Sequence, residues 1–162
     1  MVVASSGTAV VTLPTDTQIL ITRAFDAPRR LVYHAWTTPA LIKRWWSGGM
    51  GEVTSVDVDL RVGGTWRYVM VAGGGFEVAF HGEYLEIVPD ERIVCTEVFE
   101  GMPGVEPAVS TYTFTEDGGR TTLTLLTEFA SREIRDAVIN SGMERGMQAG
   151  WDLAEQIAIS LG

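Results

Sequence analysis

Three ionisable side chains on two neighbouring stretches of β-type sequence could carry proton-transfer chemistry. His81 and Glu83 are two positions apart within residues 76–88 and so have the same parity in the alternation of a strand. Glu97 lies in the next β-type stretch. Side chains of one parity lie on the same face of a sheet. If that face is inward, an imidazole and two carboxylates could share a proton in a dry cavity, where burial shifts pKa values. His81 and Glu83 are therefore the candidate catalytic residues, either one as a general base on a bound ligand.

The same alternation supports a plainer interpretation of these residues. Phe76, Val78 and Phe80 take the opposite parity, and an apolar set on one side of a strand marks the side that faces the core. This pattern favours a solvent-facing position for His81 and Glu83. Enzymatic activity is then the less favoured hypothesis, and no catalytic residue is assigned.

Other signatures of site chemistry are missing from the sequence. Two histidines and one cysteine give no spacing typical of a zinc site, and we expect neither a metal nor a cofactor. The glycines at 73–75 precede neither the helix nor the lysine of a phosphate-binding loop, so they predict a turn. Cys95 lies in an apolar β-type run, where we expect a buried and unreactive thiol.

The composition limits the partners and the compartment. A chain of 162 residues fits one domain, which would bury about 70% of its unfolded surface. The net charge of −9 opposes binding to a polyphosphate, so we expect no nucleic-acid partner. No run of about 18 apolar residues occurs, so no membrane span is expected. A single cysteine and a poor signal-peptide pattern indicate a cytoplasmic location.

The predicted elements follow one another clearly along the chain. Residues 1–16 are expected to be a flexible tail or an edge extension of the sheet, and residues 17–162 a single domain. Residues 17–25 predict the first strand, and two short helices follow, one near Pro28 and one after Thr38. Short connections make the remaining strands mostly antiparallel. We place these six strands at residues 52–60, 64–72, 76–88, 91–100, 108–115 and 120–129.

The last predicted element is a long C-terminal helix that begins near Met143, after a break around Gly142. The element order predicts an α+β fold, in which a seven-stranded curved antiparallel sheet wraps around this helix. Gly146 and Gly150 each cost about 1 kcal/mol relative to alanine inside a helix. They either allow close packing against the sheet, which is the commoner reason, or leave volume unfilled. The face opposite the apolar one carries Glu144, Gln148, Asp152 and Glu155.

Aromatic and methionine side chains recur at alternate strand positions and on the closing helix. Each group alone is typical of an ordinary core, but a curved sheet with one long helix does not easily fill its concave interior. Apolar walls with a few polar groups are typical of small-molecule sites, and methionines suit a wall that adapts to its ligand. We therefore predict a ligand cavity lined by Trp45, Trp46, Trp66, Tyr68, Met70, Phe80, Tyr84, Tyr112, Phe114, Met143, Met147 and Trp151.

Several motifs of the chain resemble a known family. They are RAFDAP at 23–28, DLRVGGTW at 59–66, GEYLEIVPDERI at 82–93 and SGMERGM at 141–147. They resemble START-like, or SRPBCC, helix-grip domains, and more narrowly the branch named for the activator of heat-shock protein 90 ATPase homologue. The resemblance runs from about residue 17 to 161. It implies a seven-stranded antiparallel sheet around a hydrophobic cavity, in a family whose members bind lipids, hormones or polyketides and in a few cases catalyse cyclisation or hydrolysis.

The leading prediction is non-covalent binding of a small apolar or amphipathic ligand in an internal cavity. One alternative is a protein-interaction module, either a chaperone accessory or a homodimer, which would expose an apolar patch of more than a few hundred Å². The other is a hydrolase or cyclase that acts on a cavity-bound ligand. The branch takes its name from co-chaperones whose characteristic N-terminal domain is absent from this sequence, which argues against a chaperone partner. Fold alone does not decide among these functions.

Overall fold

One antiparallel sheet curls around a long C-terminal helix. The structure is a computed structural model that describes residues 8–162 and, for the backbone only, residues 2–4. Within these residues the sheet has the strand order β1-β2-β3-β9-β8-β7-β6-β5-β4. The elements are β1 (Val2–Ala4), β2 (Val10–Thr12), β3 (Gln18–Phe25), α1 (Arg29–Thr37), α2 (Pro39–Trp45), β4 (Gly51–Val58), β5 (Thr65–Ala72), β6 (Glu77–Val88), β7 (Arg92–Phe99), β8 (Ala108–Asp117), β9 (Arg120–Glu128), α3 (Arg132–Asn140) and α4 (Met143–Ser160).

The predicted α+β helix-grip architecture is confirmed, but the number of strands differs. Seven strands were expected, and the sheet has nine in the described residues. The additional strands, β1 and β2, extend the edge of the sheet. The edge extension is therefore found at residues 2–4 and 10–12, where the prediction of a flexible tail is wrong; residues 1 and 5–7 lie outside the described residues. Val11 of β2 is opposite Ile21 of β3 and is fully buried. A strand of three residues is too short to show a period.

Turn and cap residues determine where the elements end. Gly118 and Gly119 have φ angles of 60° and 80°, the left-handed geometry of a two-residue hairpin turn between β8 and β9. The Ser131 hydroxyl accepts a hydrogen bond from the Ile134 N–H at 3.2 Å and so caps α3. Gly142, with a φ of 83°, separates α3 from α4. The predicted break in the helical region therefore lies at Gly142, between α3 and α4.

Aromatic rings fill one end of the concave side of the sheet. The Phe25 ring of β3 lies 5.5 Å from the Trp36 ring of α1 and 5.9 Å from the Trp151 ring of α4. The Trp36 ring also lies 4.5 Å from that of Trp45 in α2. Aromatic pairs at such distances add about 1 kcal/mol each beyond their buried area. This end of the fold, where β3, α1 and α4 meet, is a solid core.

A buried arginine joins α4 to β3. The Arg23 side chain is 3% exposed, and its Nη2 atom lies 2.7 Å from Asp152 Oδ1 and 3.2 Å from Glu155 Oε1. Its guanidinium carbon also lies 4.5 Å from the centre of the Phe25 ring. A buried guanidinium needs counter-charges. Arg23 therefore favours the rotation of α4 about its axis in which Asp152 and Glu155 both face β3.

Gln148 of α4 is buried, although the helical period placed it on the face opposite the apolar one. Its Nε2 donates to the Ala9 carbonyl oxygen at 2.7 Å, and its Oε1 accepts from the Ala9 N–H at 3.0 Å. The side chain thus satisfies both backbone groups of a residue just before β2. The N-terminal segment covers this face of α4, which is why the prediction for Gln148 was wrong.

The two helical glycines allow other segments to approach α4 closely. A Cβ atom added at Gly150 would lie 2.8 Å from the Trp45 carbonyl oxygen, whereas one at Gly146 would meet the Met50 sulfur at 3.0 Å. Of the two sequence interpretations, close packing therefore holds. The partner differs from the expected one, because α4 approaches α2 and the loop after it rather than the sheet.

Removal of both counter-charges of Arg23 should destabilise the fold. Asp152→Asn combined with Glu155→Gln leaves a buried charge without a carboxylate and should lower the free energy of unfolding by about 2–4 kcal/mol. Urea titration measures the change. Glu86→Gln is the matched control, because it breaks an exposed pair with Arg92 and should cost less than about 1 kcal/mol. Equal losses in the two variants would contradict the structural role of Arg23.

Alanine should have opposite effects at the two helical glycines. Each substitution gains about 1 kcal/mol of helix propensity. At position 146 only the flexible end of Met50 must move, so Gly146→Ala should be neutral or stabilise the fold by up to about 1 kcal/mol. At position 150 a backbone carbonyl must move, so Gly150→Ala should destabilise by about 1–3 kcal/mol. Denaturant titration distinguishes the variants, and a stabilised Gly150→Ala would refute the close contact with α2.

Candidate ligand-binding cavity

A hollow of about 320 Å³ lies between the concave face of the sheet and the N-terminal half of α4. Strands β5 to β9 and β3 form its floor, and α2 with the following loop forms one side. Its volume is within the range of small-molecule sites, at the low end, and corresponds to that of about ten water molecules in the liquid. Its wall is mostly aromatic and aliphatic.

The hollow begins where the aromatic packing of the core ends. Beyond Trp151, the side of α4 that borders the hollow carries Gly150, Met147, Gly146 and Met143. The two glycines let α2 and the loop after it approach the helix closely, and the flexible thioethers of the methionines pack without a fixed shape. Because this part of α4 packs against α2 and the loop rather than against the sheet, room remains between the helix and the floor.

All the predicted lining residues except Phe114 border this hollow. Phe114 is 1% exposed, and its ring lies 5.5 Å from that of Tyr33 in an edge-on arrangement. Phe114 and Tyr112 are two positions apart on β8 and point to the same side of the sheet, as predicted. However, α1 covers the end of β8 that carries Phe114, so the prediction that Phe114 lines the cavity is wrong. The bordering residues are Trp45, Trp46, Trp66, Tyr68, Met70, Phe80, Tyr84, Tyr112, Met143, Met147 and Trp151. That they bind a ligand remains a prediction.

The neighbouring tryptophans Trp45 and Trp46 have different roles. The Trp45 N–H donates a buried hydrogen bond to the Ala35 carbonyl oxygen at 2.9 Å, which joins α2 to α1. The Trp46 ring lies edge-on to Tyr68 and Phe80, at 5.5 Å and 5.8 Å between ring centres. Trp45 therefore belongs to the core, and Trp46 covers the aromatic part of the cavity floor.

The polar groups on the wall are mostly neutral at ordinary pH. They include the hydroxyls of Tyr68, Tyr84 and Tyr112 and the thiol of Cys95. Burial raises the pKa of each of the three tyrosines above its ordinary value. Burial, together with the nearby charge of Glu97, raises the pKa of the Cys95 thiol to about 12, so this thiol is not a nucleophile.

Glu97 is the acidic group that borders the hollow in the described part of the chain. It lies between this hollow and a second one of about 350 Å³, which α3 and the loop between β7 and β8 enclose. Its side chain is half-buried and borders both hollows. Burial accordingly raises the pKa of the Glu97 carboxyl to about 7, so Glu97 changes charge near neutral pH.

The other two candidate acid–base residues lie on the opposite, convex face. The pairing of β6 with β7 places His81 opposite Val98, so His81 and Glu97 point to different sides of the sheet. His81 Nδ1 lies 2.8 Å from Glu100 Oε2, and Arg67 donates two hydrogen bonds of 2.9 Å to the same carboxylate. Glu83 is exposed on this face as well. The general-base hypothesis therefore loses both of its candidates, since neither reaches the hollow.

Sequence reasoning did not identify Glu97 as a cavity residue. It grouped Glu97 with His81 and Glu83, because register between strands is not visible in a sequence. One signal was available: Glu97 has the same parity as Ile93 and Cys95, which are buried on the concave face. A carboxylate on the apolar side of a strand is uncommon and marks a position worth testing.

Two further features concern metals and membranes. In residues 8–162, no three His, Cys, Asp or Glu side chains are close enough together to hold a metal ion. Nor does any helix in that range have both the length and the apolar character that a membrane crossing requires.

Comparisons with known proteins agree on the fold. The family described as Activator of Hsp90 ATPase homolog 1-like protein matches residues 26–157. A solved structure from Mycobacterium smegmatis is 25% identical, with a TM-score of 0.82 over 91% of this chain and 94% of that one. One from Chromobacterium violaceum is 26% identical, with a TM-score of 0.77 over 89% and 98%.

A third solved structure, from Rhodobacter sphaeroides, is 22% identical, with a TM-score of 0.84 over 94% of this chain and 98% of that one. At this identity the likeness concerns the fold alone. Among curated proteins, none matches this chain.

Glu97→Gln should remove a pH-dependent loss of stability. A folded pKa of about 7, above the unfolded value of about 4.3, means that the folded state favours the protonated acid. Stability is therefore greatest below about pH 4 and decreases as the pH rises to about 7. Between pH 5 and pH 8, the free energy of unfolding of Glu97→Gln should rise by about 2 kcal/mol relative to that of wild type. Urea unfolding at the two pH values measures this change. Glu83→Gln should show no such rise. If the difference in stability between Glu97→Gln and wild type is the same at pH 5 and pH 8, the burial of Glu97 is contradicted.

Proposed function

This chain belongs to the family of Activator of Hsp90 ATPase homolog 1-like proteins, and we propose that it binds a small apolar or amphipathic molecule non-covalently in the cavity under α4. The single observation that carries this proposal is the hollow itself, which an ordinary core would have filled. It has the volume of a ligand site and a wall of aromatic and thioether groups with a few polar atoms. The fold family often serves to bind ligands, which supports the same function.

The apolar wall would supply most of the affinity. A ligand that buries roughly 300 Å² of apolar surface gains about 7 kcal/mol at 25 cal/mol per Å², before the costs of ordering. This corresponds to dissociation constants in the micromolar to millimolar range. Such a site favours a class of molecules over a single compound, because the methionines Met143 and Met147 repack easily.

The second hollow gives the proposed ligand room to extend. Glu97 borders both hollows, so it lies where they meet. We call the hollow under α4 the inner hollow and the one next to α3 the outer hollow. Residues from the loop after β7 and from α3 line the outer part, including Met102, Val105 and Ala137. A ligand longer than the inner hollow would therefore run past Glu97 towards α3, with apolar contacts on both sides of one ionisable group.

The two alternative functions have less support from the structure. A hydrolase or cyclase would need a base and a second acid or nucleophile in the hollow. Neither His81 nor Glu83 is there, and beside the Glu97 carboxyl the thiol of Cys95 and the hydroxyl of Tyr68 have raised pKa values. An interaction module would need a contiguous exposed apolar patch. The most exposed large apolar residues, Phe76, Val62 and Met50, lie in three different loops. A homodimer, a chaperone partner and a cytoplasmic location remain predictions.

Ligand binding should raise the melting temperature, and filling the hollow should prevent this effect. In differential scanning fluorimetry with a panel of fatty acids, alkyl alcohols, alkylamines and small aromatic compounds, a ligand at about 100 times its Kd should raise the Tm by about 5–10 °C. Met147→Trp places a large ring in the hollow and should abolish the rise. Leu153→Trp, on the exposed side of the same helix, should preserve it.

Two outcomes of this experiment would contradict the proposal. The first is a wild-type Tm that stays unchanged across the whole panel. The second is a rise that survives Met147→Trp unchanged, which would place the binding outside the hollow.

A further inference from the structure

Glu97 is the only ionisable group of the inner hollow that changes charge near neutral pH, in the part of the chain that the structure describes. None of the ion pairs or side-chain hydrogen bonds formed among residues 8–162 includes its carboxylate. In proteins, buried carboxylates normally have a cation or several hydrogen-bond donors as partners. This carboxylate faces a space large enough for a molecule that could supply them.

The groups around Glu97 bring no positive charge. From the sheet, Cys95 of β7, Tyr68 of β5, Tyr84 of β6 and Tyr112 of β8 face the same hollow, and all four stay neutral at ordinary pH. From the helices α3 and α4, apolar side chains line the space. The loop between β7 and β8 adds Glu106 at the outer hollow, which is a further negative group. In the described residues, no Lys, Arg or His borders either hollow.

We propose that the ligand is an apolar molecule with a protonated amine, and that the ammonium group pairs with Glu97 at the junction of the two hollows. This inference rests on the proposed ligand-binding function of the cavity. An ammonium group donates three hydrogen bonds. The carboxylate can accept one or two of them, and the hydroxyl oxygens of Tyr68 and Tyr112 are further acceptors on the same wall. A charge-assisted hydrogen bond of this kind is about twice as strong as a neutral one.

Aromatic faces and the overall charge favour the same class of ligand. The rings of Trp46, Tyr68 and Phe80 lie together beside the hollow, and aromatic faces attract cations. The net charge of −9 also attracts cationic molecules from solution. A fatty acid, in contrast, would place a second carboxylate next to Glu97 without a cation, and like charges in a buried site repel each other strongly.

The pairing makes affinity for an amine dependent on pH. An alkylamine stays protonated up to about pH 10, whereas Glu97, with a pKa of about 7, is mostly neutral at pH 6 and mostly ionised at pH 8. Because only the ionised carboxylate pairs with ammonium, affinity should rise about tenfold from pH 6 to pH 8. A neutral ligand of the same length should show no such rise.

The test uses three ligands with the same chain and different head groups. Isothermal titration calorimetry gives Kd values for octylamine, octanol and octanoate at pH 6 and pH 8. Wild type should bind octylamine at least about tenfold more tightly than octanol at pH 8, a difference that about 1.4 kcal/mol of pairing provides, and octanoate most weakly. Glu97→Gln should keep octanol binding and lose the preference for the amine. Glu83→Gln removes the same charge from the convex face and should behave like wild type.

The outcomes separate this inference from the proposed function. Equal affinity of wild type for octanol and octylamine at pH 8, tighter binding of octanoate, or an amine preference that survives Glu97→Gln would overturn the role of Glu97 and leave the cavity function intact. Absence of binding by all three ligands would overturn both proposals. The comparison of head groups in wild type does not depend on any variant, so it decides the question even if Glu97→Gln fails to fold.

Discussion

The attachment of α4 to β3 is the constraint on which the rest of the structure depends. Arg23 is buried between Asp152 and Glu155, and the adjacent Phe25 and Trp151 rings pack together. These contacts hold the C-terminal half of the helix against the sheet. The N-terminal half is held instead by its close approach to α2 at Gly150. Since the helix is held at one end by the sheet and at the other by α2, the floor of the hollow, formed by β5 to β9 and β3, is not covered by side chains of α4.

The chemistry of the hollow follows from this geometry. The strands that form the floor place alternate residues on the concave side, so aromatic residues such as Tyr68 and Tyr112 border the hollow together with Cys95. Burial keeps the tyrosines and the thiol neutral. Glu97 is different, because burial brings its pKa to about 7. The site is thus an apolar chamber with one carboxyl group that gains or loses its proton near neutral pH. This arrangement suits recognition of a ligand better than catalysis by a His–carboxylate pair.

Much of this fold could be predicted from periodicity and turn residues. Alternation identified the strands from β3 onward, and Gly118 and Gly119 marked the hairpin between β8 and β9. What could not be predicted depends on contacts between distant segments. Gln148 is buried because it bonds the backbone of Ala9. Phe114 is excluded from the hollow because α1 covers it, and His81 and Glu97 lie on opposite faces of the sheet because of the register of β6 with β7.

The space between the concave face of the sheet and α4 is an accessible apolar chamber. A crystal structure of the protein under xenon pressure is the decisive measurement, because xenon enters empty apolar cavities and scatters strongly. Xenon density is expected between Trp66, Tyr68 and Met147. A crystal without xenon at that position, in which the side chains of Met143 and Met147 fill the space, would contradict it.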